Sequence, residues 1–151
     1  MEEGYIDKVI EEMVRIPAIV HRKLHRDLFK VVLEEVGADI APHHMMIMRM
    51  IRESGTLSSS EIGGMLSVAK SQMTHSVDKL VRLGMVERKH CTEDRRKVRI
   101  SMTDKGLSTL ERVDKSINNR LKEKLAILSS DELEKLAECF RYIAISFSKL
   151  Q

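Results

Sequence analysis

Two short runs hold the side chains best suited to recognition chemistry. In KSQMTHSVDKLVR, residues 70–82, the short polar groups Ser71, Gln72, Thr74 and His75 lie within five positions of one another, flanked by Lys70, Lys79 and Arg82. Short hydrogen-bonding groups near the start of a helix are what base edges in a DNA major groove require. Lysine and arginine around them hold phosphates and set register without reading sequence. In CTEDRRKVRISM, residues 91–102, Arg95, Arg96 and Lys97 follow directly on Glu93 and Asp94, and an alternating segment comes next. If that run is the tip of a β-hairpin, Arg95 or Arg96 is placed to enter a neighbouring minor groove, where it responds to groove width rather than base identity.

Charge distribution agrees with that reading. Residues 70–99 carry nine basic and four acidic side chains, a local excess of +5 in a chain whose formal net charge is only +3. A basic patch on a body close to neutral is the electrostatic footprint of a polyanion binder. The bland alternative, before any motif is considered, is a solvated charged face.

These residues need elements to hold them. Apolar residues at Ile6, Val9, Ile10, Met13, Ile16, Val20, Leu24, Leu28, Val31 and Val32 have helical spacing over 5–36, with Pro17 expected to kink or break the helix and Gly37 to end it. Pro42 opens a second helix, closed by Gly55. Ser58 and Glu61 form a capping box for a short third helix, whose Gly63 and Gly64 imply close packing. Met73, Val77, Leu80, Val81 and Leu83 then give the 70–82 helix its buried stripe.

MVERKH and KVRISM alternate with period two, a hairpin with a charged tip. Thr103 caps a long helix through Leu107, Leu110, Val113, Ile117, Leu121 and Leu125. Ser129 and Glu132 cap the last helix, where Leu133, Leu136, Phe140, Ile143, Phe147 and Leu150 recur at alternating spacings of three and four, a seam of the coiled-coil kind. With no second domain to cover that seam, a second copy of the chain is the favoured occupant.

The expected fold is mainly α with a small β-hairpin wing: a winged helix-turn-helix over 41–103, flanked by dimerisation helices over 5–36 and 107–150, all within one domain. A hydrophobic content of 42% supports a packed core, and no segment reaches the roughly 18 apolar residues of a membrane span. MEEGYIDKV is too acidic for a signal peptide. Cys91 and Cys139, far apart and without metal-ligand company, suit a reduced cytoplasmic protein.

From about Ala41 to Gly106 the sequence resembles the MarR family of transcriptional regulators. SSSEIGGMLSVAKSQMTHSVDKLVRLGMVER and the wing core DRRKVRISMTDKG carry the likeness, and the long helices on either side fit by pattern. The resemblance implies an obligate homodimer on a pseudo-palindromic double-stranded operator, and repression as the default. It implies that Asp94 is a scaffold residue pairing with a basic neighbour while Arg96 reaches DNA. It also implies an effector cleft between the dimer helices and the DNA-binding lobe, which His21, His25, His44, Met45 and Met48 are candidates to line. A small aromatic or apolar anion suits that lining. Ala69 departs from the pattern, standing where the family often has a Ser or Thr cap, so Ser67 or water is expected to serve.

Other classes fit less well. The sequence has no phosphate loop, nucleophile elbow, paired carboxylates at useful spacing or metal tetrad, so neither an enzyme nor a resident cofactor is expected. His21, His25, His43 and His44 could meet a zinc ion, but the resemblance implies that a zinc-sensing member would also take ligands from the helix after the wing, which here has no histidine. Cys91, beside His90 and basic residues, is a candidate redox sensor. A winged helix that binds protein instead would need an apolar outer face on 70–82, and this one is polar and basic.

Overall fold

The computed structural model describes residues 2–25, 28–90 and 98–150, with the side chains of residues 2, 3 and 25 left out of account. The chain order is α1 (Glu2–Val20), a π-helical turn (His21–His25), α2 (Leu28–Val36), α3 (Pro42–Ser54), β1 (Thr56–Leu57), α4 (Ser59–Met65), α5 (Lys70–Arg82), β2 (Val86–His90), β3 (Val98–Met102), α6 (Asp104–Leu125) and α7 (Ser130–Phe147).

Local signals place most boundaries. Ser58 accepts from the Glu61 amide at 3.2 Å while Glu61 accepts from the Ser58 amide at 2.7 Å, and Ser129 and Glu132 repeat the exchange at 3.3 and 2.8 Å. Each closed box satisfies two backbone donors that a helix start otherwise leaves open. Thr103 accepts from the Gly106 amide at 3.0 Å and starts α6. Gly55 takes a φ of 75°, a conformation side chains resist, and so ends α3.

Pro17 does not break the first helix. α1 runs through it to Val20, and the irregularity falls in the π turn at His21–His25. A proline removes one backbone donor, which an exposed helix tolerates; a wide turn nearby is where a helix absorbs such a mismatch. Of the two glycines in α4, only Gly63 sits in a tight place, its missing Cβ 3.3 Å from the Val68 carbonyl, while Gly64 faces open space.

The hairpin is part of a three-stranded antiparallel sheet in the order β1-β3-β2, with Thr56 opposite Ser101 and Leu57 opposite Ile100. Two-residue β1 is too short for any alternation to reveal. The core lies between this sheet and the helices α2 to α6, with Val32, Met48, Ile51, Ile62, Val77, Leu80, Ile100, Leu110 and Val113 at 1% exposure or less. Neither α1 nor α7 has a buried residue among those described.

Candidate nucleic-acid interface

α5 divides cleanly into two faces. Met73, Ser76, Val77 and Leu80 are buried, while Lys70, Ser71, Gln72, Thr74, His75 and Arg82 are exposed. The helix is therefore anchored along its apolar stripe, and its recognition side chains stand clear of the body. Ser76 is held from beneath by His43, Oγ to Nε2 at 3.4 Å. At the far end, Lys105 Nζ donates to the Leu83 carbonyl at 2.7 Å and the Thr103 hydroxyl donates to the Gly84 carbonyl at 2.7 Å. A cation on the last carbonyls suits the negative end of a helix dipole.

The N-terminus of α5 lacks a side-chain cap. Ala69 offers none, and Ser67, expected to substitute, instead forms the turn before α5 with a left-handed φ of 52°. Thr74 donates its hydroxyl to the Lys70 carbonyl at 2.9 Å, so toward solvent it offers an acceptor and a methyl group. Lys79 is half-buried and pairs with Asp39 at 3.3 Å, less available than its sequence position suggested.

Several basic residues of the patch are engaged by acids of the protein itself. Arg88 reaches Asp78 at 2.7 Å, Lys89 pairs with Glu87 at 2.5 Å, and Arg99 meets Glu61 at 2.5 Å. The Glu61 carboxyl is held below its usual range, first by the Ser58 amide and then by the Ser58 hydroxyl and Arg99. Sequence reasoning counted these arginines as surface charge; only the strand register and the helix docking reveal what they do. Lys70 and Arg82 form no ion pair among the described residues. Asp94, Arg95, Arg96 and Lys97, with Cys91, lie outside the described residues.

The expected effector lining is only partly gathered. A cavity of about 650 Å³ beside α2 is lined by His21, Phe29, Lys30, Leu33, Asp39, Ile40 and neighbours. Met45 and Met48, at 1% and 0% exposure, are core residues that face α3's packing partners and not this cavity, and His44 is buried at 5%. Met45 and Met48 are consumed by packing, whereas Met46 of the same helix is exposed. The His25 side chain lies outside the described set. Nor do three or more His, Cys, Asp or Glu side chains gather into a possible metal site among the described residues.

A helix presented over a small sheet, with a second helix packed behind it, defines a winged helix-turn-helix. The sequence model of the MarR family matches residues 40–98. The HTH-type transcriptional regulator PrsX of Escherichia coli is 30% identical over 112 residues, covering 74% of this chain and 68% of PrsX. The uncharacterized HTH-type transcriptional regulator YdgG of Bacillus subtilis is 27% identical over 144 residues, 94% of this chain and 90% of that protein. Among solved structures, a mutant of MarR from Escherichia coli complexed with operator DNA shares the fold with a TM-score of 0.64 at 24% identity, over 91% of this chain and 96% of that one. The chain belongs to the MarR family of winged-helix transcriptional regulators.

Proposed function

We propose that the protein regulates transcription in the cytoplasm by binding a pseudo-palindromic duplex operator as a homodimer, repressing until a small ligand releases it. The observation that carries this reading is the exposed polar face of α5, Ser71, Gln72, Thr74 and His75, between the cations Lys70 and Arg82, which form no ion pair among the described residues. α5 would contact base edges in the major groove, and the wing the neighbouring minor groove and its phosphates. Arg95, Arg96 and Lys97 are assigned the wing contact, with Asp94 as their scaffold, and Lys79 a phosphate once it leaves Asp39.

Two uncovered apolar faces support the homodimer. Tyr5, Ile6, Val9, Ile10 and Met13 of α1 and Leu133, Phe140, Ile143 and Phe147 of α7 are all exposed in the single chain, and Leu136 is half-buried. Soluble monomers seldom expose contiguous apolar surface on that scale. In this reading the chain is one domain whose α1 and α7 are the dimer arms.

For the effector, the cavity beside α2 combines apolar walls (Phe29, Leu33, Ile40, Pro42) with Lys30 and His21, the groups that would meet a small aromatic or apolar anion, and with the carboxylates of Glu34 and Asp39, which favour a ligand whose apolar part dominates. Its Asp39 is the residue that holds Lys79 of α5. A ligand that prefers the non-binding arrangement by about 1.4 kcal/mol releases DNA tenfold. The deciding experiment selects duplexes from a random-sequence pool. Enrichment of a site with two half-sites about one helical turn apart is expected, and recovery of unenriched DNA with equal affinity for any duplex would overturn the reading.

A further inference from the structure

Two acids stand where a surface facing a polyanion should have none. Asp78 lies on α5 among the recognition residues, and Glu61 lies at the start of α4. Each ends on an arginine of the wing sheet, and the strand register shows why. Val86, Arg88 and His90 share one face of β2, opposite Met102, Ile100 and Val98. Arg88 therefore emerges on the side where Val86 and Ile100 are buried against the helices, and its guanidinium meets Asp78 at 2.7 Å. On the other face Lys89 lies directly opposite Arg99, two cations whose mutual repulsion weakens the pairing unless each is neutralised. Glu87 takes Lys89 at 2.5 Å, and Glu61 takes Arg99 at 2.5 Å. The same Glu61 oxygen accepts from the Ser58 amide at 2.7 Å, so the arginine of β3 is tied to the cap that fixes the start of α4.

We propose that the Asp78–Arg88 and Glu61–Arg99 pairs are a two-sided clamp that sets the angle of the wing on the helix-turn-helix, making Asp78 and Glu61 positioning residues for DNA binding. One pair holds the core face of the sheet to α5; the other holds its solvent face to α4. β2 and β3 are thereby held at a fixed distance from the recognition helix, so that wing and helix reach one duplex together. The inference rests on the DNA-binding reading above.

Its test turns on a sign. By charge alone, neutralising an acid beside a phosphate backbone strengthens binding to every duplex. The clamp predicts the reverse for a specific site. Asp78→Asn and Glu61→Gln are each measured on a duplex that the wild-type protein has selected from a random pool and on an unselected duplex, over a range of salt. Glutamine at the third position still serves a capping box, so Glu61→Gln spares the start of α4. Affinity for the selected duplex should fall by at least roughly tenfold, with a shallower salt dependence as wing–phosphate contacts are lost, while affinity for the unselected duplex holds or rises. Exchanging the charges, Asp78→Arg with Arg88→Asp, should recover part of the loss, which general destabilisation of the fold would not. Circular dichroism checks that each variant is folded; if Asp78→Asn is not, Glu61→Gln decides alone. Selected-duplex affinity that is unchanged or raised in the folded variants overturns the clamp. Failure of the wild-type protein to select any duplex overturns the functional reading instead.

Discussion

At the scale of single residues, the exposed face of α5 separates groups that read from groups that hold. Gln72 can present both a donor and an acceptor to one base, and His75 one or two polar ring nitrogens. Gln72→Ala and His75→Ala are expected to relax discrimination at particular base pairs by roughly 1–3 kcal/mol. Lys70→Ala should weaken all duplexes alike and reduce the salt slope by about one. A panel of single-base variants of the selected duplex distinguishes these, and a uniform loss from Gln72→Ala would remove it from the reading set. A different residue-scale effect belongs to His44. Burial, first, and then the neighbouring His43 and Lys79 push its pKa from 6.5 down to about 4, while its Nδ1 accepts from the Ala41 amide at 3.0 Å. The folded state thus favours the neutral ring. The stabilisation is complete above the unfolded value and is lost as pH falls from 6.5 through about 4, amounting to about 2 kcal/mol by pH 5. Urea midpoints between pH 7.5 and 5 should fall accordingly, and His44→Gln should remove most of that slope; an unchanged slope in the variant would place the titration elsewhere.

At the scale of elements, the seam where α6 starts against Met85 is the tightest place that any of the described glycines occupies. Gly106 sits in the first turn of α6, and a Cβ there would overlap the Met85 carbonyl oxygen, a backbone atom also bound by the Thr103 amide at 3.1 Å. Neither side can withdraw without parting α6 from the end of α5. Gly106→Ala should therefore cost about 3 kcal/mol or more, at the upper end of overpacking effects, visible as a lowered urea midpoint. A change under 1 kcal/mol would show the seam to be pliable. How much of this was legible in the sequence depends on the range of the interaction. Ser58 with Glu61, Thr103, and Ser129 with Glu132 are contacts over three residues, so sequence spacing alone identifies them. The buried stripe of α5 was legible for the same reason. β1, the π turn after Pro17 and the partners of Arg88 and Arg99 were not, because they depend on strands and helices distant in the chain. Met45 and Met48 show the limit most plainly: helical spacing tells that they share a face, but only the docking of that face tells that it meets the core and not a cleft.

At the scale of the whole molecule, a lobe that buries its own core is accompanied by two helices, α1 and α7, with no fully buried residue among those described. α7 has a full apolar stripe, with Phe140 56% and Phe147 48% exposed, and its closed capping box shows a helix built to persist there. A second copy that covers this stripe joins two recognition helices into one reader, since two half-sites bound by linked lobes gain the effective concentration that separate lobes lack. Ile143→Asp probes the arrangement with little risk to the lobe itself, because α7 contributes no buried residue to the single chain. In a two-fold interface the change enters twice, placing two unpaired carboxylates in the seam, each costing several kcal/mol to desolvate. A nanomolar dimer is worth about 12 kcal/mol, so that combined penalty shifts dissociation into the micromolar range or beyond. Sedimentation at micromolar concentration should show a folded monomer with unchanged helical circular dichroism. Operator affinity should fall with it, while weak binding to a single half-site survives. A variant that still sediments as a dimer would mean the stripe is covered from within its own chain, and the paired-lobe account of operator recognition would have to be abandoned.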